Sequence, residues 1–169
     1  MSGSPFRLEL LRKHDRSAFD CGVGELNAYF QTRVSQDVRR NYASCFVAVD
    51  KQNERVAGYY TLSMGSIDLD QLPESVAKKL PRYSQAPVAR LGRLAIDLDY
   101  QGQRLGASLL ADAVYRVAQS EVAAYAVVVD ALDAKAARFY EHFGFLKLAR
   151  DPRTLFLPLS TAVKKLGGR

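Results

Sequence analysis

The chain predicts a mixed α/β fold in one domain, and three observations carry the prediction. Apolar runs of strand length alternate with stretches of helical periodicity. One run, AYAVVVD at 124–130, is apolar almost throughout, as a strand buried on both faces is. A strand–helix–strand unit fills 88–130, the pattern of two parallel strands joined by a crossover. With 169 residues and 48% hydrophobic composition, the chain suffices for one core, and we expect a single domain over 1–169.

The elements follow in order. Residues 6–11 alternate weakly and read as a first strand. Asp20 is placed to cap a helix over 25–38, because Leu26, Phe30 and Val34 recur every four residues. CFVAV (45–49) and VAGYYTLS (56–63) are strands around the polar turn DKQNE, and the second is open to extension to Ile67. The proline-bearing stretch 68–88 reads as a surface excursion, with Pro73 opening a short helix to 79 and Pro81 closing it. VARLGRLAI (88–96) is a strand. Leu105, Leu109, Ala113 and Val117 share one face of a helix from about 104. Strand 124–130 follows, then a helix over 134–143 stopped by Gly144, a strand over 145–149, and a last short strand within DPRTLFLPLS.

The formal net charge of +6 with 25% charged residues suits either a polyanionic partner or an ordinary basic enzyme. Cys21 and Cys45 match no metal-ligand spacing and there are two His, so no metal is expected. The N-terminus lacks a secretory pattern, and the longest apolar run, 122–129, is too short to span a bilayer. The expectation is a cytoplasmic protein with reduced thiols and no membrane association.

The turn after strand 88–96 is the first candidate site. Crossover turns present backbone N–H groups at the carboxyl end of a sheet, where ligands bind. Gln101, Gly102, Gln103, Arg104, Leu105, Gly106 and Ala107 form that turn. Gly102 and Gly106 permit close backbone approach or positive φ. Arg104, at the mouth of the helix, is expected to take an ordinary helical backbone. Taken alone, the pattern fits a phosphate site and a bare helix start equally well.

A second motif, DALDAKAARFYEHFGF at 130–145, completes a pair. With Gln101, Arg104 and Gly106 first, and Asp133, Ala136, Tyr140, Gly144 and Phe145 second, the chain resembles the GNAT superfamily of acetyl-coenzyme A-dependent N-acetyltransferases. The departure is Arg104, where that family has Gly; its guanidinium is a candidate contact for a cofactor phosphate. The resemblance implies a central splayed mixed sheet flanked by helices. It assigns Leu94, Ala95 and Ile96 to pairing with the pantetheine arm, and the loop, Asp133, Ala136 and Phe139 to coenzyme A. It makes Tyr140 the general acid for the leaving thiolate, a phenol of pKa near 10 against a thiol near 8.5. Without the motif, packing beside Phe139 and Phe143 would account for Tyr140.

Over nearly its full length the chain is also similar to the acetyltransferase toxins of bacterial toxin–antitoxin pairs. The blocks are FDCGVGELNAYF, FVAVD, GYYTLSMGSI, LPRY, LGRLAID and FLPL. This similarity implies acetylation of the α-amine of the amino acid on charged tRNA, blocking translation. It implies a ribbon-helix-helix antitoxin as partner and a homodimer. Six Lys/Arg against two Asp between 78 and 104 leave a surplus of four positive charges. Lys78, Lys79, Arg82, Arg90 and Arg93 are the candidate tRNA contacts, with Arg39, Arg40, Lys164, Lys165 and Arg169 extending the surface. Arg90 and Arg93 face opposite sides of a regular strand unless Gly92 marks a bulge. Two other readings stay open: an acetyltransferase for a small amine or protein lysine, using Asp97, Asp99, Asp130 or Asp133, and a non-catalytic coenzyme A-binding regulator.

Overall fold

The computed structural model describes residues 3–165, with side chains through 162. Seven strands are β1 (Phe6–Leu10), β2 (Ser44–Asp50), β3 (Val56–Asp68), β4 (Gln85–Ile96), β5 (Ala126–Asp130), β6 (Leu146–Leu148) and β7 (Asp151–Pro158). They are hydrogen-bonded in the order β1-β2-β3-β4-β5-β7-β6, a mixed sheet as the sequence predicts. The described chain divides into two compact units, 3–63 with 92–113 and 64–91 with 114–165.

In the first unit β1 and β2 pair antiparallel from Phe6 opposite Asp50 to Leu10 opposite Phe46, and β2 pairs antiparallel with β3. The expected helix over 25–38 is a broken one. α1 (Gly24–Ala28) passes into a π-helical turn, Tyr29–Arg33, and resumes as α2 (Val34–Arg39). The wider turn rotates the helix face, so Tyr29 and Phe30 are both buried, together with Val34. Arg16 satisfies this irregular stretch, its guanidinium donating to Phe30 O at 2.8 Å and Ser35 Oγ at 2.9 Å. Asp20 is not the helix cap; Val23 holds that position. Asp20 instead accepts from the Gly22 N–H and the Asn27 amide, both at 2.9 Å, shaping the loop before the helix. Phe30 stacks on Tyr59 with centroids 4.2 Å apart, and Phe19 meets both rings edge-on.

In the second unit β4 and β5 pair parallel, Val88 opposite Ala126 through Leu91 opposite Val129. β5 pairs antiparallel with β7, and β7 with β6. Ile67, Leu72, Ala86, Val88, Ala126, Val128, Leu148 and Phe156 form its core. The excursion holds a 3₁₀ turn, Leu69–Gln71, and α3 (Glu74–Ala77), which ends before the expected residue 79. α4 (Leu105–Gln119) is the crossover helix. α5 (Ala134–His142) is capped by Asp133 and stopped by Gly144, whose φ is +95°. β7 is longer than expected. It runs directly into α6 (Leu159–Lys165), which the proline-bounded pattern concealed. Lys164, Lys165 and Arg169 lie outside the residues with described side chains.

Candidate active site

The first group of residues lies at the end of β4. The ladder with β5 stops at Leu91 and Val129, while β4 continues to Ile96. Leu94 and Ile96 are half-buried there and Ala95 is buried. Asp97 follows, 3% exposed, and opens a 3₁₀ turn at Leu98–Tyr100. Its carboxylate accepts from the Asp99 N–H at 2.9 Å and the Asp20 N–H at 3.1 Å, and lies 3.5 Å from Arg55. Arg55 also reaches Asp99 at 3.0 Å. Gln101 locks the same turn, its amide donating to Ile96 O at 2.9 Å and Cys21 O at 3.2 Å. The side-chain amide N–H of Gln101 is therefore structural.

Gln101, Gly102, Gln103 and Arg104 are all exposed. Gly102 has φ +83°, and Arg104 has φ +62°. The expected ordinary helical backbone at Arg104 is thus corrected: this arginine adopts the left-handed form that glycine takes without penalty. Gly106 is not the left-handed residue; it lies inside the first turn of α4. Arg104 is the helix cap by backbone, since its carbonyl accepts from the Ser108 N–H at 3.2 Å. An arginine supplies no capping oxygen. Among the described residues the first-turn N–H groups of Leu105, Gly106 and Ala107 therefore meet no partner. α5 differs in this respect, because Asp133 Oδ1 accepts from the Ala136 N–H at 2.8 Å.

The second group lies on α5. Tyr140 is 7% exposed and packs against Phe139 and Phe145 at centroid distances of 5.2 and 5.5 Å. Burial pushes its phenol up to about 12. Among the described residues its hydroxyl makes no hydrogen bond. It is a protonated phenol at neutral pH. Ala136 and Phe139 are half-buried on the same helix.

The basic residues separate into two kinds. Arg93 lies over the Tyr29 ring, its guanidinium carbon 3.6 Å from the centroid. Tyr29 donates to Asp37 at 2.7 Å, and its phenol is raised by burial and by that carboxylate. The Arg93 N–H donates to the buried Thr61 hydroxyl at 3.1 Å. A Cβ at Gly92 would sit 2.8 Å from that oxygen, so glycine is required where the hydroxyl enters. Arg90 pairs with Asp130 at 3.6 Å. Lys78, Lys79 and Arg82 are exposed and make no ion pair or side-chain hydrogen bond among the described residues. The Tyr29–Arg93 contact escaped sequence reasoning, because only the π turn brings Tyr29 inward.

The acids that left an amine pocket open are all engaged. Asp97 and Asp99 meet Arg55, and Asp133 caps α5. Asp130 accepts from the Thr154 hydroxyl at 2.7 Å besides pairing with Arg90.

Residues 9–145 match the model of the acetyltransferase (GNAT) family, and the chain belongs to that family. It is 32% identical to the tRNA-acetylating toxin of Mycobacterium tuberculosis (strain ATCC 25618 / H37Rv), over 169 residues covering 99% of each chain. Its structure is similar to that of AtaT complexed with acetyl-methionyl-tRNAfMet, with TM-score 0.85 and 34% identity over 92% of this chain and 95% of that one. A Tyr-to-Phe mutant of the AtaT toxin, bound to the C-terminus of the antitoxin AtaR and acetyl-CoA, gives TM-score 0.80 and 29% identity, covering 95% and 98%.

Proposed function

We propose that this chain is a single-domain N-acetyltransferase that moves acetyl from acetyl-CoA to the α-amine of the amino acid on charged tRNA. It acts in the cytoplasm as the toxin of a toxin–antitoxin pair. The observation that carries the reading is the end-to-end match, 99% of both chains, with a protein named as a tRNA-acetylating toxin. The similarity to AtaT complexed with acetyl-methionyl-tRNA supports it independently.

The loop fits coenzyme A. Three first-turn N–H groups of α4 are without a partner among the described residues, and a Cβ built on Gly102 meets nothing within 4 Å. Unpaired N–H groups at a helix start attract phosphate. In this reading the backbone of Gln101, Gly102, Gln103, Arg104, Leu105, Gly106 and Ala107 holds the pyrophosphate. Leu94, Ala95 and Ile96 pair with the pantetheine arm, and Asp133, Ala136 and Phe139 flank the cofactor. When bound, coenzyme A supplies the acetyl group as an activated thioester. Tyr140 holds its proton at Oη through neutral pH and serves as general acid. Lys78, Lys79, Arg82, Arg90 and Arg93 contact the tRNA. The engaged state of Asp97, Asp99, Asp130 and Asp133 argues against a carboxylate pocket for a small amine.

The partners follow from the same reading: a ribbon-helix-helix antitoxin and a second copy of this chain. The test incubates the protein with labelled acetyl-CoA and charged bulk tRNA, with uncharged tRNA and Tyr140→Phe as controls. Label on charged tRNA alone, lost in the variant, supports the proposal. Label that appears only on free amines or proteins overturns it.

A further inference from the structure

Five residues, Lys78, Lys79, Pro81, Arg82 and Tyr83, crowd one short exposed stretch between α3 and β4 with no acid among them. Tyr83 is 74% exposed. Among the described residues its ring meets no other ring or guanidinium, and its hydroxyl makes no hydrogen bond. The ring is nonetheless on an anchored backbone. The Tyr83 N–H donates to Pro81 O at 2.9 Å, a tight turn, and the next residue's carbonyl accepts from the Leu69 N–H at 2.9 Å. Gln85 then reaches Asp68 at 3.0 Å. Arg93 and Arg90, by contrast, are already held by Tyr29 and Asp130.

An exposed aromatic on a fixed turn, flanked by unpartnered cations, is how single-stranded nucleic acid is held. Cations take the phosphates, and the ring stacks on a base that has no pairing partner. Paired bases in a stem offer no free face. We propose that Tyr83 is a stacking platform for an unpaired nucleobase of the RNA substrate, with Lys78, Lys79 and Arg82 on the adjacent phosphates. This rests on the tRNA reading and refines it: the platform takes the single-stranded 3′ end, beside the amino acid to be acetylated. Tyr83 is a substrate-positioning residue with no part in proton transfer.

The chain has no tryptophan, so Tyr83→Trp introduces a single indole at the platform. We expect its fluorescence to be quenched by intact tRNA, and unchanged by tRNA trimmed of its unpaired 3′ nucleotides. Tyr83→Ala should weaken binding of intact tRNA about tenfold with an unaltered salt slope, while Tyr83→Phe stays within about twofold of wild type. Trimmed tRNA should bind wild type and Tyr83→Ala alike. The inference is overturned if Tyr83→Ala weakens both RNAs equally or neither. It is also overturned if the substitution changes only self-association or antitoxin binding, which would assign the ring to a protein interface. Failure of the tRNA reading is separately visible: wild type would then neither bind nor acetylate charged tRNA, and the platform would fall with it.

Discussion

Gly102 and Arg104, two residues apart, both hold left-handed backbones, and α4 begins on the residue after the second. The conformation is free for glycine but costs an arginine about 1–2 kcal/mol. Arg104→Gly should relieve that strain and partly offset the gain by loosening the unfolded chain, by about 0.4–1 kcal/mol. A net rise in Tm of a few degrees is expected by calorimetry. Arg104→Asn removes the charge and tolerates the backbone, whereas Arg104→Ala removes the charge and keeps the strain. If the guanidinium contacts a cofactor phosphate, both should bind acetyl-CoA several-fold more weakly at low salt, and only Arg104→Asn should melt higher than wild type. Equal affinity across all variants would leave Arg104 with no role in binding.

Gly58 on β3 is a packing constraint on the end of β4. A Cβ there would lie 2.9 Å from Ile96 Cδ1, 3.0 Å from the Ala95 carbonyl and 3.0 Å from Leu109 Cδ1. The side chains can turn, but the carbonyl belongs to the strand. Gly58→Ala should cost about 1–3 kcal/mol in urea unfolding. Ile96→Ala in the same chain should not restore wild-type stability, since the backbone contact remains. Full recovery would show that the strand itself moves.

Asp97 gathers the turn between β4 and α4. It is 3% exposed, and its carboxylate serves the Asp20 and Asp99 N–H groups as well as Arg55. Asp97→Ala strands both N–H donors and should cost about 3 kcal/mol by chemical denaturation. Asp97→Asn keeps one acceptor oxygen but turns its NH2 towards the other N–H donor, so it should cost at least half as much. Arg55→Ala, whose guanidinium is more exposed, should have the smallest effect of the three. The order of the three losses tests whether the carboxylate acts mainly through the backbone donors.

Much of this was readable from residue order. The parallel pairing of β4 with β5 follows from an apolar run next to a helix-forming crossover, and Gly144 marks the end of α5 in the sequence, whereas the capping role of Asp133 emerges only in the structure. What was not readable depends on a choice the chain makes in three dimensions. Helical periodicity around Phe30 gave no sign of a π turn, because that turn is stabilised by Arg16, fourteen residues away. Arg104 looked like a residue that would avoid positive φ, and the loop geometry overrode that preference. The engagement of Gln101 with Cys21, eighty residues apart in sequence, has no local signal. Composition marked the cations of 78–93 as one basic group. Only the structure separates those held by partners from those left open.

Tyr140 combines burial with the absence, among the described residues, of any hydrogen bond to its hydroxyl. Tyr140→Phe should therefore leave stability within about 0.5 kcal/mol of wild type, since no bond is broken. If Tyr140 is the general acid, transfer should fall by roughly 10²–10⁴-fold while acetyl-CoA binding stays intact. The pH dependence gives a second check with a definite sign. Burial raises the phenol from 10.0 to about 12, favouring the neutral form in the folded state. The resulting stabilisation is complete below pH 10, and it is lost progressively as pH rises towards 12 because the unfolded chain ionises first. Wild type should thus lose stability across that window more steeply than Tyr140→Phe, measured by thermal melting at matched ionic strength. Identical curves would mean that the phenol titrates as it does in the unfolded chain. A shift of the basic limb of the rate profile below pH 10 would instead assign that limb to another group.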